Sequence, residues 1–252
     1  MKQLRFVVGV IKGIVPMVLY HVPKANIMIH FPKRFTEKQR YKAALGIVNL
    51  ERRMAITKTD VFGKENLPKE GGYIMYSNHQ GKYDALGILS THERPISILW
   101  DVHSAKHIVA KQVSRLLDCQ IIDNKSGANF IPVMQNIAKE VQNGKPYLIF
   151  PEGTYTDNKN SLLEFQTGCF MASVLSKAPI VPVVLYDSYK AMDTNELLLP
   201  VRTQVHYLKP IPYQEYKDMN RKVLCAYIKD IIQKKLDELN NTTQSLSEEK
   251  DA

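Results

Sequence analysis

Seven short apolar runs alternate with segments of helical pattern along residues 57–239, and that alternation leaves few architectures open. The runs fall near 57–62, 72–77, 96–101, 119–123, 147–150, 180–186 and 203–208. Helical patterns fall near 84–91, 103–117, 128–143, 167–177 and 214–239. The runs have strand length, and helices separate most of them, which is the signature of repeated βα units. The expected fold is α/β, with a mixed, mostly parallel sheet flanked by helices on its faces. At 252 residues the chain can bury a substantial core in one such domain. The polar stretch 240–252 predicts a disordered tail.

In open α/β sheets, ligands gather at the C-terminal ends of strands. Two turns at such ends carry chemically capable residues. The first is Asn78-His79-Gln80-Gly81-Lys82-Tyr83-Asp84, between the run Tyr73-Ile74-Met75-Tyr76 and the apolar segment Ala85-Leu86-Gly87-Ile88-Leu89. On one continuous helix, His79 and Asp84 would point about 140° apart. They meet only if His79 remains in the turn and Asp84 opens the helix, where the dipole also favours a carboxylate. A carboxylate holding one imidazole nitrogen leaves the other basic and outward-facing, as a general base requires. The blander alternative makes Asp84 a helix cap and His79 a surface turn residue. The second turn, Phe150-Pro151-Glu152-Gly153-Thr154, follows Tyr147-Leu148-Ile149. Gly153 permits a positive φ or a close backbone approach, while Glu152 and Thr154 offer an acceptor and a hydroxyl.

Charge is unevenly spread. Residues 1–58 hold twelve Lys or Arg and two acids, a net +10, so the rest of the chain sums to −1 against the total of +9. A basic arm suits nucleic acid or an anionic membrane. Leu4 to Leu19 is mostly aliphatic, with Lys2, Arg5, Gly9, Lys12 and Pro16 on one helical stripe, which argues against nucleic acid. Lys12 interrupts the apolar stretch, so a helix lying in the membrane interface is expected rather than one crossing it. A second helix, from about Thr36 to Ile56, has the apolar face Tyr41, Ala44, Leu45 and Val48 and a basic rim. Residues 1–56 are therefore expected to form a two-helix membrane-docking element, 57–239 the catalytic domain. The alternative packs both helices on that domain or on another subunit. Cys119, Cys169 and Cys225 are widely spaced in apolar surroundings and read as reduced thiols. Neither a Gly-x-Gly-x-x-Gly nor a Walker-type loop occurs.

The two motifs, in this order and at this spacing, resemble those of the glycerolipid acyltransferase family, typified by the 1-acyl-sn-glycerol-3-phosphate acyltransferases. Ile180-Val181-Pro182-Val183-Val184 and Glu164-Phe165-Gln166-Thr167-Gly168 match its later elements, with Gln166 where lysine is usual. The resemblance covers roughly residues 55–210. It implies transfer of an acyl group from an acyl-CoA or acyl carrier protein thioester to a lysophospholipid hydroxyl, most simply lysophosphatidic acid. His79 would be the base and Asp84 its orienter. Asn78 would brace the turn, Glu152 and Thr154 would position the headgroup, and backbone N–H groups near Gly153 would face the oxyanion. The co-substrate supplies the activated acyl group, so no metal or further cofactor is expected. The implied location is the cytoplasmic face of the cell membrane, peripheral or monotopic. Two departures concern the acceptor phosphate. Tyr155 follows Glu152-Gly153-Thr154 where arginine is usual, and Asn124 ends the Ile121-Ile122-Asp123 stretch. Neither replaces a guanidinium. Lys82, Lys106, Lys125 and Lys159 are the candidate substitutes. A different acceptor, a hydrolase, and a non-catalytic lipid-binding protein are the alternatives.

Overall fold

The computed structural model describes residues 12–103, 105, 108–123, 127, 129–193 and 200–251. Seven strands form one sheet: β1 (Thr57–Phe62), β2 (Ile74–Ser77), β3 (Ser97–Asp101), β4 (Gln120–Ile122), β5 (Tyr147–Ile149), β6 (Ile180–Tyr186) and β7 (Val201–Tyr207). Their order is β1-β7-β6-β2-β5-β3-β4. Every neighbouring pair is parallel except β6–β7. The mixed, mostly parallel α/β sheet expected from the sequence is what forms.

Period-two alternation sorts the side chains of the central strand. Tyr73 and Met75 enter one apolar core, and Ile74 and Tyr76 enter the other. β6 is buried throughout and contains Pro182, which has no N–H for a ladder. The β7 ladder begins at Val183, one residue later, and Pro182 contributes only its carbonyl, to the Leu208 N–H.

The first core is roofed by α1 (residues 12–30), α2 (Glu37–Met54), α3 (Asp84–Thr91) and α4 (Ile108–Leu116). The second is covered by α5 (Phe130–Gln142), α6 (Met171–Ser176) and α9 (Arg221–Asp251); two short helices, α7 (Lys190–Asp193) and α8 (Tyr213–Tyr216), complete the chain. Pro23 lies within α1, where it removes a backbone donor and crowds the preceding turn. The helix widens to π geometry over Met17–His21 just before it. Thr36 opens α2 with a capping box: its hydroxyl accepts the Gln39 N–H, and the Gln39 side chain accepts the Thr36 N–H. Helices α1 and α2 meet at Gly46, where a Cβ would come 2.9 Å from the His21 ring.

Two expectations need correction. The apolar face of α2 does not await a membrane: Tyr41, Ala44, Ile47 and Val48 are buried in the first core. Burying each of the larger ones contributes about 1.5–3 kcal/mol, so α2 belongs to the catalytic body. The exposed apolar strip is on α1, with Ile14, Val15, Val18 (57% exposed), Leu19 (73% exposed) and Ile27. No helix among the described residues is long and apolar enough to cross a membrane. Residues 1–11 lie outside the described part.

The second correction concerns the C-terminal end. Residues 240–251 do not fray but continue α9. Leu224, Ile228, Ile232 and Leu236 anchor the helix in the second core, and once nucleated it gains one backbone bond per added residue. The Tyr186 hydroxyl also meets the Thr243 hydroxyl at 2.9 Å, a tertiary tie in a segment whose composition looks unstructured. The single helix expected over 214–239 is two, α8 and α9, separated at residues 217–220.

Candidate active site

The turn that carries His79 leaves the C-terminal end of β2, the middle strand of the sheet. Its neighbours β6 and β5 end beside it, so loops from three adjacent strands converge there. His79 lies in the turn and Asp84 opens α3. His79 Nδ1 lies 2.6 Å from Asp84 Oδ2. A carboxylate oxygen only accepts, so Nδ1 carries a proton, and in the neutral imidazole the lone pair is then on Nε2. Asp84 is fully buried, and its Oδ2 also accepts the N–H groups of Gln80 at 2.5 Å and Gly81 at 2.9 Å. Its charge is therefore spent on the turn as well as on the histidine.

The His79 ring is fixed on its other sides by aromatic contact. It stacks on Phe150 with centroids 4.4 Å apart and meets Tyr155 edge-on at 4.6 Å. Asn78 is buried and pairs with the Leu185 backbone of β6. Its Nδ2 donates to Leu185 O at 2.9 Å, and its Oδ1 accepts the Leu185 N–H at 2.8 Å. Tyr83, just before Asp84, is held by Arg52 of α2 (3.1 Å) and Thr59 of β1 (2.8 Å). The N-terminal helices thus brace the start of α3.

Glu152 has a different task from the one its motif implies. It is 2% exposed, and its two oxygens accept the N–H of His79 at 2.9 Å and of Leu163 at 3.0 Å. It clamps the two motif turns together, and both oxygens are taken by backbone donors rather than offered to a headgroup. Burial pushes its carboxyl up to about 7 against the opposing pull of those two N–H groups. Gly153 adopts φ +67°, which suits glycine, and its N–H donates to Phe150 O at 3.1 Å. That donor is therefore committed to the turn. Gln166 approaches from beyond the turn, its Nε2 3.4 Å from Glu152 O.

A cavity of about 380 Å³ opens beside His79. Beside His79 it is lined by Gly81, Tyr155 and the exposed residues Lys82, Thr154 and Gln166. Its interior is apolar, lined by Leu86 of α3, Ile98 and Trp100 of β3, Val109 and Val113 of α4 and Ile122 of β4. Glu51 of α2 contributes one carboxyl to this wall, and burial pushes that carboxyl up to about 7. The cavity thus joins the His79 ring to a largely apolar wall. The described residues contain no cluster of His, Cys, Asp and Glu able to hold a metal ion. Cys119, Cys169 and Cys225 are free thiols.

Lys82 is exposed in the cavity lining, while Lys159 is exposed but outside it. Lys106, Lys125 and Asn124 lie outside the described residues. Sequence reasoning missed four contributors: Gln80, Ser188, Asn160 and Glu51. Gln80 ties the His79 turn to the loop after β6, accepting the Ser188 N–H at 2.8 Å and donating to Leu185 O and Asn160 Oδ1, each at 3.0 Å. The signal available in the sequence was positional: Asp187-Ser188 follows a strand end, as the two recognised turns do.

Comparison with known proteins shows the family of the chain and relatives of its fold. A family model described as Acyltransferase matches residues 58–186. A Mus musculus 1-acyl-sn-glycerol-3-phosphate acyltransferase alpha is 30% identical over 61% of this chain and 55% of its own length. The Ovis aries counterpart is 31% identical over 64% of this chain and 56% of its own. The chain thus spans little more than half of these mammalian relatives. A Borreliella burgdorferi 1-acyl-sn-glycerol-3-phosphate acyltransferase is 29% identical over 73% of this chain and 74% of its own. Among solved structures, the 1-acyl-sn-glycerophosphate acyltransferase PlsC from Thermotoga maritima superimposes with a TM-score of 0.71 at 19% identity, covering 95% of this chain and 99% of that one.

Proposed function

Because the chain belongs to the acyltransferase family, whose model spans residues 58–186, we propose that it transfers a fatty acyl group from an acyl thioester to the free hydroxyl of a lysophospholipid, 1-acyl-glycerol-3-phosphate first among them. The observation that carries this reading is the His79–Asp84 pair, 2.6 Å apart, at the entrance of an apolar slot. The names of the relatives point to the same acceptor.

The acyl chain lies in the slot, with its thioester carbonyl at the mouth. His79 Nε2 takes the proton of the acceptor hydroxyl as the oxygen attacks that carbonyl. Asp84 holds the ring and stabilises the imidazolium. The C–O bond forms, the C–S bond breaks, and the imidazolium returns its proton to the departing thiolate. The thioester is already activated, so no protein nucleophile is required. Lys82 at the mouth offers a cation to the acceptor phosphate. The donor is acyl-CoA or acyl carrier protein. The exposed aliphatic strip of α1, beside the basic residues of the N-terminal segment, rests in the anionic cytoplasmic surface that holds the acceptor.

The test is an acceptor screen that monitors thiol release from an acyl-CoA, with lysophosphatidic acid, neutral lysophospholipids and no acceptor as parallel arms. Lysophosphatidic acid should drive release, and His79→Ala should lower it at least ~10²-fold with the fold intact. Release without acceptor would identify a hydrolase. Preference for a neutral lysolipid would fit Tyr155, where a phosphate-binding arginine is usual in the family. An active His79→Ala would overturn the assignment of the base.

A further inference from the structure

We propose that Ser188 is a positioning residue for this reaction: it fixes the plane of the Asp84 carboxylate and, through it, the working orientation of His79. The proposal rests on the reading of His79 as the base. Asp84 Oδ2 already receives three donors, from His79, Gln80 and Gly81. These share one oxygen, so everything the turn itself supplies acts on one side of the carboxylate. The second oxygen, Oδ1, accepts the Ser188 hydroxyl at 2.5 Å. A second anchor on the other oxygen stiffens the carboxylate against excursions about Cβ–Cγ. Ser188 and Asp84 are both fully buried, which leaves little room for water to substitute.

Ser188 is itself held in place. Its N–H donates to Gln80 Oε1 at 2.8 Å, so the residue next to His79 anchors the serine that anchors Asp84. Asn160 accepts the Asp187 N–H and donates to the Asp187 carboxylate, each at 2.9 Å. Asp187 adopts φ +59°, a left-handed conformation uncommon for a residue with a side chain, and it turns the chain sharply after β6. A serine needed only to fill space would require neither the hydroxyl on a carboxylate nor a loop fixed from both sides.

The experiment compares Ser188→Ala, Ser188→Cys and Ser188→Thr with Ser97→Ala, which removes an equally buried hydroxyl bonded to backbone carbonyls away from the site. A hydrogen bond to a charged group has the magnitude that, lost in the transition state, lowers turnover about tenfold or more. Ser188→Ala should therefore lower kcat about tenfold with KM for both substrates unchanged, Ser188→Thr should recover most of it, and Ser97→Ala should keep normal kcat. Ser188→Cys, close to serine in size but a weak donor, gives the same loss as alanine if the alanine variant does not fold. The His79 Nδ1–H proton resonance, read without substrate, should broaden and move in Ser188→Ala. Unchanged kcat and an unchanged resonance in a folded Ala or Cys variant would overturn the proposal, as would a loss confined to thermal stability. If wild-type protein proved inactive with every acyl acceptor, the proposed function would fail while the resonance still tested the Ser188–Asp84–His79 linkage.

Discussion

Replacing Asp84 with asparagine separates charge from geometry at this site. Two of the donors on Oδ2 are the backbone N–H groups of Gln80 and Gly81, which cannot turn into acceptors. A carboxamide must therefore place its oxygen there and its NH2 at the Oδ1 position. Ser188, whose hydroxyl donates to Oδ1 in the wild type, can reverse its role and accept from that NH2. The oxygen facing His79 Nδ1 remains an acceptor, so the imidazole keeps its tautomer. What disappears is the negative charge opposite the imidazolium formed in the transition state. At an effective dielectric of about 20 and a charge separation of about 4 Å, that interaction is ~4 kcal/mol. A neutral hydrogen bond that returns about 0.5–1.5 kcal/mol leaves a net loss of roughly 2–4 kcal/mol, or about 30- to 10³-fold in kcat. In a serine-protease triad the same change costs about 10⁴-fold because the tautomer is lost as well. Thiol release at saturating acceptor measures kcat, and the melting temperature should fall as well, because the buried Ser188 hydroxyl gives up its acceptor and a buried donor left unpaired costs about 1–3 kcal/mol. A loss of about 10⁴-fold or more would show that the amide is reversed and the reasoning wrong. Wild-type turnover would show that the charge has no part in catalysis.

Two further perturbations address the cavity and the membrane. Glu51 has a carboxyl pushed from 4.5 to about 7 by burial in the cavity wall, with no ion pair among the described residues. The folded protein therefore binds a proton that the unfolded chain has released, and stability falls as pH rises from about 4.5 through 7. Glu51→Gln should flatten that decline and stabilise the protein at alkaline pH by about 1–2 kcal/mol after allowance for partial solvent exposure, seen as a higher melting temperature. Identical melting-temperature slopes with pH in both proteins would refute it. Val18→Asp with Leu19→Asp, on the exposed strip of α1, should weaken co-sedimentation with anionic vesicles at least about tenfold, since each buried apolar side chain contributes about 1.5–3 kcal/mol. Undiminished sedimentation would place the docking surface elsewhere.

The parts of the site that were legible in the sequence are local. Five-residue spacing across a strand-to-helix turn indicated that His79 and Asp84 could meet, because the constraint lies within one turn. The parts that were not legible come from chain crossings. Ser188 sits 104 residues from Asp84 in sequence, and only the adjacency of β6 and β2 brings it there. Glu152 looked like a ligand-facing acid because motif spacing records residue type, not which donors a side chain meets. The apolar stripe of α2 carried no label for its partner, and a core serves it as well as a membrane. The α9 extension was hidden because polar composition reports the lack of a core contribution, whereas a helix anchored upstream can extend without one.

The three-strand arrangement β6-β2-β5 has a consequence for quality control in folding. His79 follows the middle strand, and Glu152 and Ser188 follow its neighbours. Alignment of the site is thus set by two parallel ladders, Ile74 against Tyr147 and Ile74 against Ile180. A one-residue slip in either ladder shifts a partner by about 3.3 Å and sends its side chain to the opposite face. No hydrogen bond in the site spans such an error. A molecule that has mispaired β2 with β5 loses the Glu152 clamp, and one that has mispaired β2 with β6 loses the Ser188 anchor, so activity reports on both pairings.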